Sequence, residues 1–140
     1  VMMRFALILA APALVLAACA PVTPAPVASV QQGAAVEFVS FEELATMVDG
    51  GEVVLIDVRT PEEFAAGRLP GSLNAPLQTF DPQSIPMEDA RETILYCGSS
   101  RRSAIAAEQL AAYLNRPVRH LEGGIQAWQD AGGEVIRSPE

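Results

Sequence analysis

The chain has 140 residues, half of them apolar and 19% charged, with nine basic against seventeen acidic side chains and a net charge of −8. At about 100 to 150 residues per domain this allows one folded domain, and the acidic balance leaves no basic face for nucleic acid. All nine basic residues are arginine, which excludes Schiff-base lysine and phosphate-loop lysine chemistry, and two cysteines with one histidine cannot furnish a thiolate or multi-histidine metal cage.

Residues 1–4 carry one positive charge, and residues 5–18 form an uncharged run of fourteen residues. That is the length of a signal-peptide core and shorter than the roughly twenty residues of a membrane span. The run ends in Leu16-Ala17-Ala18-Cys19, which resembles the lipobox of bacterial lipoproteins, where cleavage leaves a lipid-modified cysteine at the new N-terminus. The expectation is a signal peptide over 1–18, lipid attachment at Cys19 and a membrane anchor without a spanning helix. This places the protein in the bacterial cell envelope, facing the periplasm. Ala20 stands where an aspartate would retain some lipoproteins on the inner membrane, which points to the outer one. Residues 19–35 are rich in proline and small residues, uncharged and aperiodic, as in a tether. The folded domain is expected over 36–140.

Val36-Glu37-Phe38-Val39 alternates like a short strand, and Ser40 with Glu43 three residues on reads as the capping pair of a helix through Val48. Residues 53–58 (VVLIDV) are a continuous apolar run ending in polar residues, the pattern of a strand buried on both faces. Thr60 caps a short helix with Pro61 at its first position, and Glu62 and Glu63 read as charges favoured at a helix start. A turn, a short strand and a proline stop follow over 67–76, and residues 77–90 show no regular period. Residues 93–96 (TILY) form another apolar strand, which runs into Cys97-Gly98-Ser99-Ser100-Arg101-Arg102. A helix is predicted over 103–115 with Ala106, Leu110, Tyr113 and Leu114 on one face. A last strand over 118–121 and a last helix over 125–131, closed by Gly132-Gly133, complete the pattern. Strands alternating with helices predict an α/β fold with an open parallel sheet, whose ligand sites lie beyond the carboxyl ends of the strands.

Cys97 lies at such an end. With Cys19 taken up by lipid, Cys97 has no disulfide partner, so an exported free thiol requires an explanation. It stands between a buried strand and a helix N-terminus, in a loop of small residues whose N–H groups can converge on its sulfur. Such a nest, the helix dipole and the guanidiniums of Arg101 and Arg102 favour the thiolate, the nucleophilic form. The alternative is an inert core cysteine, against which Gly98, Ser99 and Ser100 supply little bulk to cover the sulfur.

Four ordered segments carry a resemblance. Asp57-Val58-Arg59 with Pro61-Glu62-Glu63-Phe64, then residues 67–74 (GRLPGSLN), then Tyr96-Cys97 through Arg102-Ser103, then residues 121–128 (LEGGIQAW) resemble the signatures of the rhodanese, or thiosulfate sulfurtransferase, domain. An exported single-domain form is similar to the periplasmic phage-shock sulfurtransferases. The resemblance implies a rhodanese-like parallel sheet of about five strands flanked by helices on both faces. It also implies a double displacement through a transient Cys97 persulfide, with no bound cofactor. The donor is thiosulfate or another small anionic sulfur compound, and the acceptor is cyanide or a thiol. Arg102, five residues after the cysteine, matches the loop-closing arginine, and Arg101 a variable position that sets donor preference. Gly98, Ser99, Ser100 and Ser103 complete the active-site loop, with Ser103 as a candidate helix cap. Asp57 and Arg59 are expected to support the loop through ion pairs. Many members carry glycine where Ser100 stands, so serine costs about 1 kcal/mol if that position needs a positive φ.

Phosphatases and arsenate reductases of the same fold use a loop one residue longer, with arginine six after the cysteine, where this chain has Ser103. A lipid-anchored binding or redox-sensing domain that does not turn over is the non-enzymatic alternative. A cysteine-protease pair of Cys97 with His120 is disfavoured, because nothing in the sequence places His120 beside the loop. Trp128 reads as a core anchor. No metal, nucleic acid or second subunit is called for, and the domain is expected to be a monomer.

Overall fold

The computed structural model describes residues 34–139. The expected signal peptide, Cys19 and the expected tether up to residue 33 lie outside the described residues. Among those described, no helix is long and apolar enough to cross a membrane.

Five strands and four helices follow in chain order, alternating except between β3 and β4: β1 (Val36–Val39), α1 (Phe41–Asp49), β2 (Val53–Asp57), α2 (Pro61–Ala66), β3 (Leu73–Asn74), β4 (Glu92–Tyr96), α3 (Arg101–Leu114), β5 (Val118–Leu121) and α4 (Gly124–Asp130). The strands form one sheet in the order β1-β5-β4-β2-β3, and every pairing is parallel. The α/β class and the five-stranded sheet are as the sequence predicts. Residues 77–90, which show no period, contain two single 3-10 turns, Leu77–Thr79 and Pro82–Ser84.

Alternation along each strand divides the core in two. Val54, Ile56, Leu95 and Val118 meet Ala106, Ala107 and Leu110 of α3 on one face. Val53, Leu55, Ile94 and Leu121 meet Leu44, Ile125 and Trp128 of α1 and α4 on the other. All five residues of β2 are buried, and a fully buried valine, leucine or isoleucine stabilises the fold by about 1.5 to 3 kcal/mol.

Two helix predictions are corrected. The helix expected from Ser103 begins at Arg101, so Ser103 lies inside its first turn and is not its cap. Its buried face is Ser103, Ala106, Ala107, Leu110 and Ala111, whereas Tyr113 is 56% exposed. Leu114 packs partly against that core, and Tyr113, one position round the helix from it, turns to solvent.

The topology defines a site. From β4 the chain crosses through α3 to β5, while from neighbouring β2 it crosses through α2 to β3 on the other side. Adjacent strands whose connections leave in opposite directions open a crevice at their carboxyl ends. Cys97 follows the end of β4 directly, and Arg59 stands two residues past the end of β2.

Candidate active site

Cys97 is buried, 1% exposed, and is a free thiol. The sequence expectation that small loop residues leave the sulfur uncovered is corrected, because Cys97 belongs to the core cluster that includes Val58, Ala106 and Ala107. Burial by itself pushes the thiol up. Hydrogen bonds from the Ser103 hydroxyl and from the backbone N–H groups of Ser103, Ser99 and Arg102 outweigh it and hold the thiol below its ordinary range.

These donors have an origin in helix geometry. The first N–H groups of any helix lack intrahelical partners, and α3 has no side-chain cap at its N-cap Ser100. The Cys97 sulfur takes the place of that cap, receiving the N–H groups of the second and third residues of the helix. The carbonyls on the other side of the loop are held outward by α4. Ile125 N–H donates to Cys97 O at 2.8 Å and Gln126 N–H to Gly98 O at 3.2 Å. In a trans peptide the N–H opposes the C=O, so fixing Gly98 O outward turns the Ser99 N–H inward. Gly124 makes this contact feasible. A Cβ there would stand 2.4 Å from Cys97 O and 2.6 Å from Gly98 O, on a residue with φ +61°.

Ser100 adopts φ +80° and ψ −22°, the left-handed region. Its hydroxyl donates to Leu121 O at 3.1 Å, tying the loop to the end of β5. Arg102 reaches across to α2, where its guanidinium makes a two-pronged bond to Glu63 at 2.7 and 2.8 Å. That bond first, opposed by partial burial and helped by the Thr60 N–H, brings the Glu63 carboxyl down to about 2. Glu63 also closes the capping box of α2 with Thr60, so one carboxylate fixes both the helix start and the loop arginine. Arg101 is exposed and makes no ion pair among the described residues.

Asp57 and Arg59 pair with each other at 2.6 Å, both buried, and Arg59 also donates to Gly67 O at 2.6 Å. Neither hydrogen-bonds residues 97–103. They clamp the two ends of the α2 segment, and α2 in turn presents Glu63 to Arg102. Asn74 secures the same turn through the carbonyls of Asp57 and Arg59 at 3.0 and 2.9 Å.

The structure brings His120 to the loop, contrary to the sequence expectation. Its Nδ1 lies 2.9 Å from Ser103 Oγ, because β5 and the first turn of α3 pack face to face. Trp128 is a core anchor as read, stacked edge-on with Phe41 at 5.1 Å and bonded to Glu134 O at 2.8 Å. Glu63, Gly124 and His120 are the site residues that sequence reasoning passes over. Glu63 reads as an ordinary helix-start charge, and the reach of His120 depends on packing between elements seventeen residues apart.

A shallow depression beside the loop is lined by Arg59, Glu63, Ala66, Gly67, Ile125 and Gln129. A larger one opens at the amino ends of β4 and β5, the end of the sheet opposite Cys97, and holds no thiol.

Residues 40–131 match the rhodanese-like domain family. The chain belongs to that family. The rhodanese-like chain is 33% identical over 94 residues to a sulfurtransferase of Allochromatium vinosum, covering 67% of this chain and 87% of the relative. It is 37% identical over 86 residues to a Synechocystis protein, covering 61% of this chain and 48% of the relative, so it spans about half the length of that protein. Among solved structures it is similar to a Rhodopseudomonas palustris protein of unknown function, a possible tyrosine phosphatase. That match has TM-score 0.61 and 31% identity, covering 72% of this chain and 85% of the other. Sulfurtransferases are therefore among the relatives of this rhodanese-like domain.

Proposed function

We propose that the chain transfers a sulfane sulfur from thiosulfate or a similar small anion to a thiol or cyanide through a Cys97 persulfide. The observation that carries this reading is a buried free thiol between the end of β4 and the uncapped N-terminus of α3, in a loop whose carbonyls α4 holds outward. The Cys97 thiolate attacks the outer sulfur of the donor, the donor's S–S bond breaks, and sulfite leaves with the bonding electron pair. An acceptor thiolate or cyanide then attacks the outer sulfur of the persulfide, and the Cys97 thiolate is released. In each half the negative charge on Cys97 sulfur is met by dipoles already in place. Arg101, exposed at the mouth, attracts the anionic donor, and Arg102, held by Glu63, faces the departing sulfite.

The five-residue spacing from Cys97 to Arg102 supports a sulfur atom as cargo over a tetrahedral phosphate. The residue six after the cysteine, Ser103, is no arginine but a fully buried serine bonded to Ser100 O and His120 Nδ1. The lipobox supports a membrane-anchored position in the bacterial envelope, with the domain acting as a monomer on periplasmic small molecules and without a bound cofactor. Thiocyanate formation from thiosulfate and cyanide tests the reading. The full chain is expected to turn over and Cys97→Ser to form none; phosphate-ester hydrolysis without thiocyanate would replace the reading with a phosphatase.

A further inference from the structure

His120 is the one histidine in the sequence, and it is 2% exposed. On β5 it faces α3, between Phe38 of β1 and Leu95 of β4, its register partners, with the Phe38 ring 4.7 Å away. The charged groups of the surrounding elements are engaged elsewhere or exposed. Arg119 bonds Glu43 and Glu92 on the opposite face, Arg102 bonds Glu63, and Glu37, Arg101 and Glu108 are exposed. Tyr96 belongs to the core on the other side of the sheet. Burial alone pushes the imidazole down, so near neutral pH the ring is uncharged and carries one hydrogen. The open question is which nitrogen holds it.

Ser103 decides that. Its hydroxyl has one hydrogen and two acceptors at hydrogen-bond distance, Ser100 O at 3.1 Å and His120 Nδ1 at 2.9 Å, with the Cys97 sulfur, whose thiol it lowers, as a third neighbour. With Nδ1 bare, three acceptors compete for that hydrogen, and the thiolate loses a donor whenever Nδ1 wins. With a hydrogen on Nδ1 the ring donates to Oγ, and the hydroxyl hydrogen is released toward the negative sulfur, to which the bond is strongest. His120 Nε2 has no hydrogen-bond partner among the described residues, and no fully buried side-chain nitrogen there lacks one. No group among the described residues therefore fixes the tautomer from the Nε2 side.

We propose that His120 is a positioning residue that donates from Nδ1 to Ser103 Oγ and thereby aims the Ser103 hydroxyl at the Cys97 sulfur. The wire Nδ1–H to Oγ–H to Sγ polarises as the sulfur gains charge. This deepens the sulfur-transfer reading and rests on Cys97 working as a thiolate.

The test uses the full chain carrying Cys19→Ser, so that Cys97 is its one thiol, without a histidine tag. Nitrogen-15 NMR of the single imidazole is expected to show Nδ1 protonated and Nε2 bare near neutral pH; the opposite tautomer overturns the proposal without any variant. The pH profile of alkylation by iodoacetamide is the second arm. His120→Leu and Ser103→Ala are each expected to lower thiolate reactivity about tenfold one unit below the parent midpoint. The double variant should fall no further, and His120→Asn, whose amide nitrogen stands near the place of Nδ1, should recover most of the loss. An unmoved profile in His120→Leu, an additive double variant, or no recovery in His120→Asn contradicts it. Alkylation needs no sulfur donor, so a shifted profile without sulfur uptake sinks the sulfurtransferase reading alone. Sulfur uptake with an unmoved profile sinks this proposal alone.

Discussion

Ser100 holds a left-handed conformation that costs a serine about 1 kcal/mol, and its hydroxyl bond to Leu121 O offsets a similar amount. The two terms separate on substitution. Ser100→Ala keeps the strain and loses the bond, so it is expected to destabilise by about 1 to 2 kcal/mol. Ser100→Gly loses both and should change stability by less than about 1 kcal/mol. Urea unfolding with unchanged slope checks the pair. Glu63 gives a second prediction at this scale, since it holds Arg102 at 2.7 Å. Glu63→Gln should lower kcat/KM for thiosulfate about tenfold by releasing the guanidinium from its place. Because the folded carboxyl lies near 2, below its ordinary value, its stabilisation is complete above about pH 4.3. That stabilisation is lost as pH falls through about 2. For a partly exposed pair the contribution is about 1 kcal/mol. The stability gap between parent and Glu63→Gln should therefore be level from pH 7 to 5 and close on further acidification.

At the scale of elements, the loop is a joint between three pieces: β4 delivers Cys97, α3 aims N–H groups at it, and α4 holds its carbonyls outward. Gly124→Ala tests the last. Its Cβ would meet two backbone oxygens closer than any van der Waals contact on a positive-φ residue, and neither can yield cheaply. An expected loss of about 3 kcal/mol, with a thiol reactivity that falls further than stability, distinguishes it from a remote core mutation. The sequence makes most of this frame legible. Ser40 and Thr60 cap α1 and α2 as read, since a cap is a local contact three residues long, whereas the Glu43 carboxylate expected to close the box at α1 pairs with Arg119 instead. The apolar runs of β2 and β4 are equally local in origin. What periodicity misplaces is the start of α3, because Arg101 and Arg102 carry no apolar signal and the cap is a sulfur four residues back. His120 and Glu63 were illegible as site residues for another reason: their partners are 17 and 39 residues away in sequence. Only the packed sheet brings them together.

Over the whole molecule, acidity opposes the proposed chemistry. A chain of net charge −8 repels an anionic donor, and the loop arginines are a local exception within that field. Salt screens the distant charges before the close ones, with a Debye length of about 10 Å at 0.1 M. The second-order rate with thiosulfate should therefore rise with moderate ionic strength, and a monotonic fall would show that the arginines dominate the field. The account as a whole stands on sulfur residing covalently on Cys97 between the two halves of the reaction. Intact mass of the chain under non-reducing conditions, before and after thiosulfate and then cyanide, reads this directly. The account predicts a gain of one sulfur atom, absent in Cys97→Ser and removed by cyanide. A folded chain with Cys97 reduced that gains no sulfur would contradict it.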